Sequence, residues 1–257
     1  MIVQNVVSKA PRWYDKDGNA IWEIVGKNGN PKKPDIRDAR REGFLPSVTT
    51  IISQLSKPGL EKWKISQAII SSLTLPRNPE ESDQDFAERI ALDAQEEGKA
   101  AATKGTDIHS CLETYIRTNV VPEGGANICL SYNNFMEPFK VEIGSLEVEF
   151  KATNLELGYG GRGDLIFRCD AETVVVDFKS QDVKNGKPEF YPDWGMQLAA
   201  YAKSRESELK NVIGYSLVFD RNTGMAYWKE WDDLETQFKK FKMLLNYFQL
   251  DKGLPCS

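Results

Sequence analysis

The chain reads as an α/β protein built on a mixed β-sheet. Two patterns predict this, and length agrees. From residue 83 the hydrophobic periodicity runs helices, three strands, helix, two strands, helix, an order that fits helices layered on a sheet rather than an all-helical or all-β domain. The second and third strands carry a hairpin signal. At 257 residues the chain is long enough for a full core plus an extension, and the expected division is an N-terminal hairpin and helical extension at 1–82 with the core at 83–257.

Arg12-Trp-Tyr-Asp-Lys-Asp-Gly-Asn-Ala-Ile-Trp-Glu-Ile-Val25 predicts a small hairpin turning at Asp17-Gly18. Residues 26–34 are turn-rich, and 35–42 read as a short charged helix or coil with Arg37, Arg40 and Arg41. Ser47 is placed to cap a helix through Leu55, and Pro58 sits in the first turn of another, with Leu60, Trp63, Ile65, Ile69 and Ile70 giving an apolar face up to Leu73. Residues 76–82 form a polar linker.

The stretch from 83 to about 119 is helical, Ala-rich and charged, with weak points at Gly98 and Gly105 where a bend or a break is expected. His109, the single histidine of the chain, follows Gly105 by four residues, so a missing side chain one turn away leaves room beside the imidazole. An amphipathic helix is expected at 128–141 and a strand at 145–153. Past the hairpin come a helix from about 188 carrying Trp194 and Gln197-Leu-Ala-Ala-Tyr201, strands at 211–219 and 225–229, and a closing helix at 232–250.

The hairpin holds the chemistry. Its arms are Gly158-Tyr-Gly-Gly-Arg-Gly-Asp164-Leu-Ile-Phe-Arg168 and Thr173-Val-Val-Val-Asp177-Phe-Lys179. A turn centred on Asp170 and Ala171 makes paired residue numbers sum to 341, which sets Asp164 opposite Asp177, with Lys179 on the same face. Facing carboxylates roughly 5 Å apart repel by about 3 kcal/mol at an effective dielectric near 20. A hard divalent cation would offset that, and the neighbouring lysine points to chemistry on an anion. Acid-x-Lys tripeptides occur five times in the chain, but only Asp177-Phe-Lys179 follows an apolar strand run and faces a second carboxylate.

Composition bounds the rest. No apolar run approaches the eighteen or so residues of a membrane span, and neither a signal peptide nor an Arg-rich transit pattern is expected at the N-terminus. Cys111, Cys129, Cys169 and Cys256 form no C-x-x-C pair, so neither a zinc ribbon nor an iron–sulfur clip is indicated. A soluble, intracellular, reduced protein is the plain reading. Net charge is −5, but residues 1–64 carry +5 and the remainder −10, so a basic track with aromatics lies near the N-terminus.

Together, Gly105-x-x-x-His109, Gly163-Asp164-Leu-Ile, Asp177-Phe-Lys179 and Gln197-x-x-x-Tyr201 resemble, in order, the motifs of the PD-(D/E)XK nuclease superfamily in its RecB-type branch, over about 83–230. Leu45-Pro-Ser47-Val-Thr49-Thr-Ile-Ile-Ser, with Leu60-Glu-Lys-Trp63-Lys, is similar to the N-terminal helices of the mitochondrial genome maintenance exonuclease group and its phage relatives. That group also carries a glutamate about fifteen residues before the motif aspartate, where Glu149 stands here, though Glu147 shares its strand face.

The resemblance implies a restriction-endonuclease-like core and a Mg²⁺- or Mn²⁺-dependent deoxyribonuclease without an iron–sulfur cluster. It implies metal ligation by Asp164, Asp177, His109 and the Phe178 carbonyl, water positioning by Lys179, and a supporting role for Glu149. DNA contacts would fall to Gln197, Tyr201, Arg162, Ser47 and Thr49. The expected substrate is single-stranded DNA or DNA ends. The alternatives are a duplex-end exonuclease of a phage-type recombination system and a non-catalytic DNA-binding module. Recombination or replication proteins would be partners, a cytoplasmic setting is implied, and a phage source stays open.

Overall fold

The computed structural model describes residues 11–255, the side chains of 95–104 and 106 excepted. Cys256 and the N-terminal ten residues, on which the reading of leaders rests, lie outside the described residues. The chain divides into two compact units, 55–107 and a larger one joining the segment up to residue 54 with the segment from 108 onward. The N-terminal hairpin therefore falls in the same unit as the sheet.

In the larger unit β1 (Trp13–Tyr14) pairs antiparallel with β2 (Ala20–Ile21) across a turn in which Gly18 adopts φ 76°, as the Asp-Gly signal predicts. The turn-rich stretch after it closes into a second hairpin, β3 (Ile24–Val25) with β4 (Pro31–Lys32). There Gly26 N–H bonds the Asn30 carbonyl at 2.8 Å, and Asn28 Oδ1 accepts from Asn30 N. Helix α1 (Ile36–Glu42) starts on an Asp35 capping box. Its Arg40 donates through Nε to the Lys252 carbonyl at 2.7 Å, and Arg41 pairs with Asp38 and Glu42. These arginines are thus engaged in holding the fold.

Strand β5 (Leu45–Pro46) lies on β1, and α2 (Val48–Ile52) follows with Ser47 as its cap. The smaller unit holds α3 (Pro58–Thr74), with Pro58 in its first turn, and the greater part of α4 (Asp83–Thr118). Helix α4 is one continuous run rather than the two helices that were one of the expected outcomes. Two glycines cost about 1 kcal/mol each in a helix interior, too little to break a helix of 36 residues rich in alanine and charged helix formers. Helix α5 (Ala126–Met136) stops short of the expected end.

The sheet has the order β10-β9-β8-β7-β6: β6 (Glu147–Lys151), β7 (Arg162–Cys169), β8 (Glu172–Gln181), β9 (Val212–Asp220) and β10 (Ala226–Trp231). Only β8 and β9 run parallel, so the sheet is mixed, with α6 (Asp193–Lys203) joining them. The β7–β8 ladder pairs Leu165 with Val176 and Cys169 with Glu172, and Asp170 takes φ 54° at the turn, the register the sequence predicts.

One face presents Leu165, Phe167, Val174, Val176, Phe178, Leu217 and Phe219 to Ile108 and Leu112 of α4 and to Tyr132 and Phe135 of α5. By alternation the other face carries Asp164, Ile166, Val175, Asp177, Ser216 and Val218. It is covered by α6, whose buried small residues Gly195, Ala199 and Ala200 allow close approach, with α7 (Leu234–Lys252) packed outside it. No helix among the described residues is long and apolar enough to cross a membrane.

Candidate functional site

Two strands, two helices and one edge strand supply the site, all from the larger unit. Strand β7 brings Asp164, and β8 brings Asp177, the Phe178 carbonyl and Lys179. The last turns of α4 bring His109. Helix α6 brings Gln197 and Tyr201, one turn apart.

Asp164 Oδ2 accepts the Phe178 N–H at 2.5 Å and lies 3.6 Å from His109 Nε2. Burial alone would raise its pKa, but the His109 and Lys179 charges and the Phe178 N–H outweigh it and hold the carboxyl below the ordinary value. His109 Nε2–H donates to the Phe178 carbonyl at 3.0 Å.

Asp177 is 2 % exposed. Its Oδ1 accepts from Gln197 Nε2 at 2.9 Å, and its Oδ2, which has no hydrogen-bond partner, is in ion-pair contact with Lys179 Nζ. Burial pushes this carboxyl up to about 6, with Lys179 opposing the rise and Asp164 adding to it.

Lys179 Nζ also donates to Gln197 Oε1 at 3.2 Å and lies 5.6 Å from the centroid of the Trp194 ring. Gln197 Nε2 donates in addition to Tyr201 Oη at 3.0 Å. Gln197 and Tyr201, expected to touch DNA, thus hold Asp177 and Lys179 in place; Tyr201 is buried, with a pKa well above the usual tyrosine value through burial and the two aspartate charges. The glycines before Asp164 serve close packing. A Cβ on Gly161 would lie 2.8 Å from the Tyr201 ring, and one on Gly163 would lie 2.3 Å from the Phe150 ring.

Strand β6 separates the two candidate glutamates. Glu147 is exposed and forms an ion pair with Arg205. Glu149 falls opposite Asp164 in the β6–β7 register, between the pairs Val148↔Leu165 and Phe150↔Gly163. Its backbone has φ 54°, which no other non-glycine residue inside a described strand shows; the remaining cases, Asn119, Asp170, Asn185 and Asp233, sit at turns, loops or helix ends. Such a conformation costs about 1 kcal/mol or more. Burial first, then the Asp164 and Glu113 charges, push the Glu149 carboxyl up to about 7, against Arg162 and His109. Arg162 Nε is 3.8 Å from Glu149 Oε2. Alongside runs a groove of about 630 Å³ lined in part by Arg117, Glu147, Glu149 and Lys151.

Ser47 and Thr49 are not brought to the carboxylates by any contact. Ser47 is 2 % exposed, and its Oγ accepts from Thr50 N at 3.0 Å and meets Thr49 Oγ1 at 3.1 Å. Sequence reasoning missed Trp194, which flanks the lysine; its position one turn before Gln197 on the same helix was the available signal. It also missed Arg205, the partner that removes Glu147 from contention.

No group of three His, Cys, Asp or Glu side chains among the described residues converges as a ready metal cage. The donors at hand are two carboxylates, one imidazole and one backbone carbonyl, with Asp177 Oδ2 in ion-pair contact with Lys179. Bonds of about 2.1 Å put neighbouring octahedral ligands about 3.0 Å apart. His109 Nε2 lies 3.0 Å from the Phe178 oxygen and 3.6 Å from Asp164 Oδ2, so these three fit neighbouring ligands of a hard cation once Nε2 gives up the proton it donates to the carbonyl.

No family model matches the chain, and no curated protein sequence matches it. Sixteen solved chains match by structure. One, described as the crystal structure of SSO0001, superposes with a TM-score of 0.33 at 15 % identity, over 72 % of this chain and 86 % of its own. A likeness of that size carries no argument about what the chain does.

Proposed function

We propose that the chain is a metal-dependent DNA exonuclease with a restriction-endonuclease-like core, hydrolysing phosphodiester bonds of single-stranded DNA or DNA ends. The observation that carries the reading is the cluster on the middle of β7 and β8, where Asp164, Asp177 and Lys179 meet the imidazole of His109 and the carbonyl of Phe178. One buried carboxylate beside a part-buried one calls for counter-charge. The antiparallel β6–β7–β8 meander and the α6 connection to the parallel β9 support the fold assignment.

Asp164, Asp177, His109 and the Phe178 carbonyl would hold Mg²⁺ or Mn²⁺, the imidazole making the site more tolerant of manganese than an all-oxygen set. When bound, the cation polarises the scissile phosphate and makes a water more acidic. Lys179, fixed by Asp177 and Gln197, orients the attacking water and offsets negative charge that develops on the phosphate. Gln197 keeps both partners aligned, and Tyr201 fixes Gln197.

The test uses end-labelled single-stranded, duplex and circular DNA with Mg²⁺, Mn²⁺ or EDTA, on wild type and Lys179→Ala. Cation-dependent shortening of linear single strands that the variant loses is the expected result. Equal activity in the variant overturns the mechanism, preference for duplex ends replaces the substrate, and circles cut as fast as linear strands remove the exonuclease.

A further inference from the structure

Beside Lys179, the connection into α6 presents aromatic rings that the proposed chemistry does not use. Phe190, Tyr191 and Trp194 form a cluster: the Tyr191 and Trp194 rings meet edge to face at 5.2 Å, and Phe190 and Trp194 at 6.2 Å. Trp194 is nearly buried, with Lys179 Nζ 5.6 Å from its centroid, whereas Tyr191 is 43 % exposed. An exposed aromatic ring braced from behind by a buried one is a shelf.

The shelf is held in place. Gln181, at the end of β8, clamps Glu189 in both directions, its Nε2 donating to the Glu189 carbonyl at 2.6 Å and its Oε1 accepting the Glu189 N–H at 3.0 Å. Tyr191 Oη then donates to Glu189 Oε2 at 2.5 Å, which fixes the ring at both ends. Fixing a ring in advance removes an ordering cost from whatever stacks on it. Lys184 and Lys187 are exposed on the same connection, which also carries Asp182, Glu189 and Asp193, so the shelf offers a ring face rather than a basic patch.

We propose that Tyr191, braced by Trp194, is a stacking platform for a nucleobase of the strand whose phosphate lies at Lys179. The inference rests on the nuclease reading above and adds to it a base-dependent, sequence-tolerant contact. The two ring-to-ring and ring-to-ammonium spacings place Tyr191 within 11 Å of Lys179. With a rise of about 3.4 Å per nucleotide, that is within about three nucleotides of the one being cut. Stacking needs an unpaired base, so the platform selects single strands.

The experiment measures binding, by fluorescence anisotropy in Ca²⁺, of an oligothymidylate and of an equally long abasic oligomer with the same phosphates. Wild type, Tyr191→Ala and Tyr191→Phe are compared, with thermal melts confirming folding. Wild type should bind the base-bearing strand more tightly. Tyr191→Ala should weaken that binding about tenfold, the range for one stacked base, leave abasic binding unchanged and so narrow the difference. Tyr191→Phe, which keeps the ring and loses the bond to Glu189, should keep most of the base dependence. Wild-type binding with the same base dependence in Tyr191→Ala overturns the platform and leaves the nuclease reading standing. Binding of neither oligomer by wild type overturns the nuclease reading itself.

Discussion

The β7–β8 hairpin and the edge strand β6 both bring carboxylates to one site, but they do it by opposite means. The hairpin uses regular register: alternation puts Asp164 and Asp177 on one face, and neighbouring N–H groups and Lys179 answer their charge. Strand β6 uses an irregularity, a left-handed residue at Glu149 in the middle of a five-residue strand. Pattern suffices to place a group that its own sheet can stabilise. Glu149, opposite Asp164, carries backbone strain, and its charge is answered by Arg162 at 3.8 Å and by His109.

The comparison breaks most sharply on activity. Asp164→Asn should lower DNA cleavage by roughly a thousandfold, the scale of losing one preorganised charged group at a reacting centre. It should also weaken Mn²⁺ binding measured by calorimetry. Undiminished metal affinity in that variant would remove Asp164 from the ligand set.

The edge strand sharpens it next. Glu149→Gln should cost about 10- to 100-fold in cleavage, as for groups that support a metal site from outside. Glu147→Gln, which removes only an exposed ion pair with Arg205, should stay within about twofold, since such pairs are worth at most about 1 kcal/mol. The reverse ranking in steady-state assays would return the functional role to Glu147.

Packing between the two strands gives a smaller effect. The Gly163 Cα faces the Phe150 ring, so Gly163→Ala forces that ring aside and should destabilise the protein by about 1–3 kcal/mol. A melting temperature unchanged in calorimetry would show that Phe150 moves freely.

These contrasts track what was legible in the sequence. The hairpin register, the Ser47 cap, Pro58 at a helix start and the Gln197–Tyr201 turn were all readable, because each depends on local spacing and alternation alone. The choice between Glu147 and Glu149 was not, since alternation puts them on one face and only Arg205, some 60 residues away, and a left-handed backbone separate them. The unbroken α4 was not readable from local glycine costs weighed without the length of helix opposing them. The contacts assigned to Ser47 by resemblance met a hydroxyl already used in the cap that spacing predicts. Tyr191 was unreadable because its placement depends on the Gln181 clamp.

The smallest effect reads the strain through pH. The Glu149 carboxyl stands at about 7 in the fold against an ordinary 4.5, so between those values the folded state binds the extra proton. Stability from this group is therefore fully present below about 4.5 and is lost as pH rises through about 7. Asp177, raised from 3.8 to about 6, acts in the same direction over a lower window, while the depressed Asp164 opposes both and loses its contribution only in acid. Glu149→Gln should remove the upper part of that slope. In EDTA, urea unfolding of the variant should match wild type near pH 5 and exceed it by about 1–2 kcal/mol at pH 8, a discounted share of the full shift. Parallel curves for the two proteins across that range would mean that Arg162 neutralises Glu149 fully, and that β6 meets the aspartates without electrostatic cost.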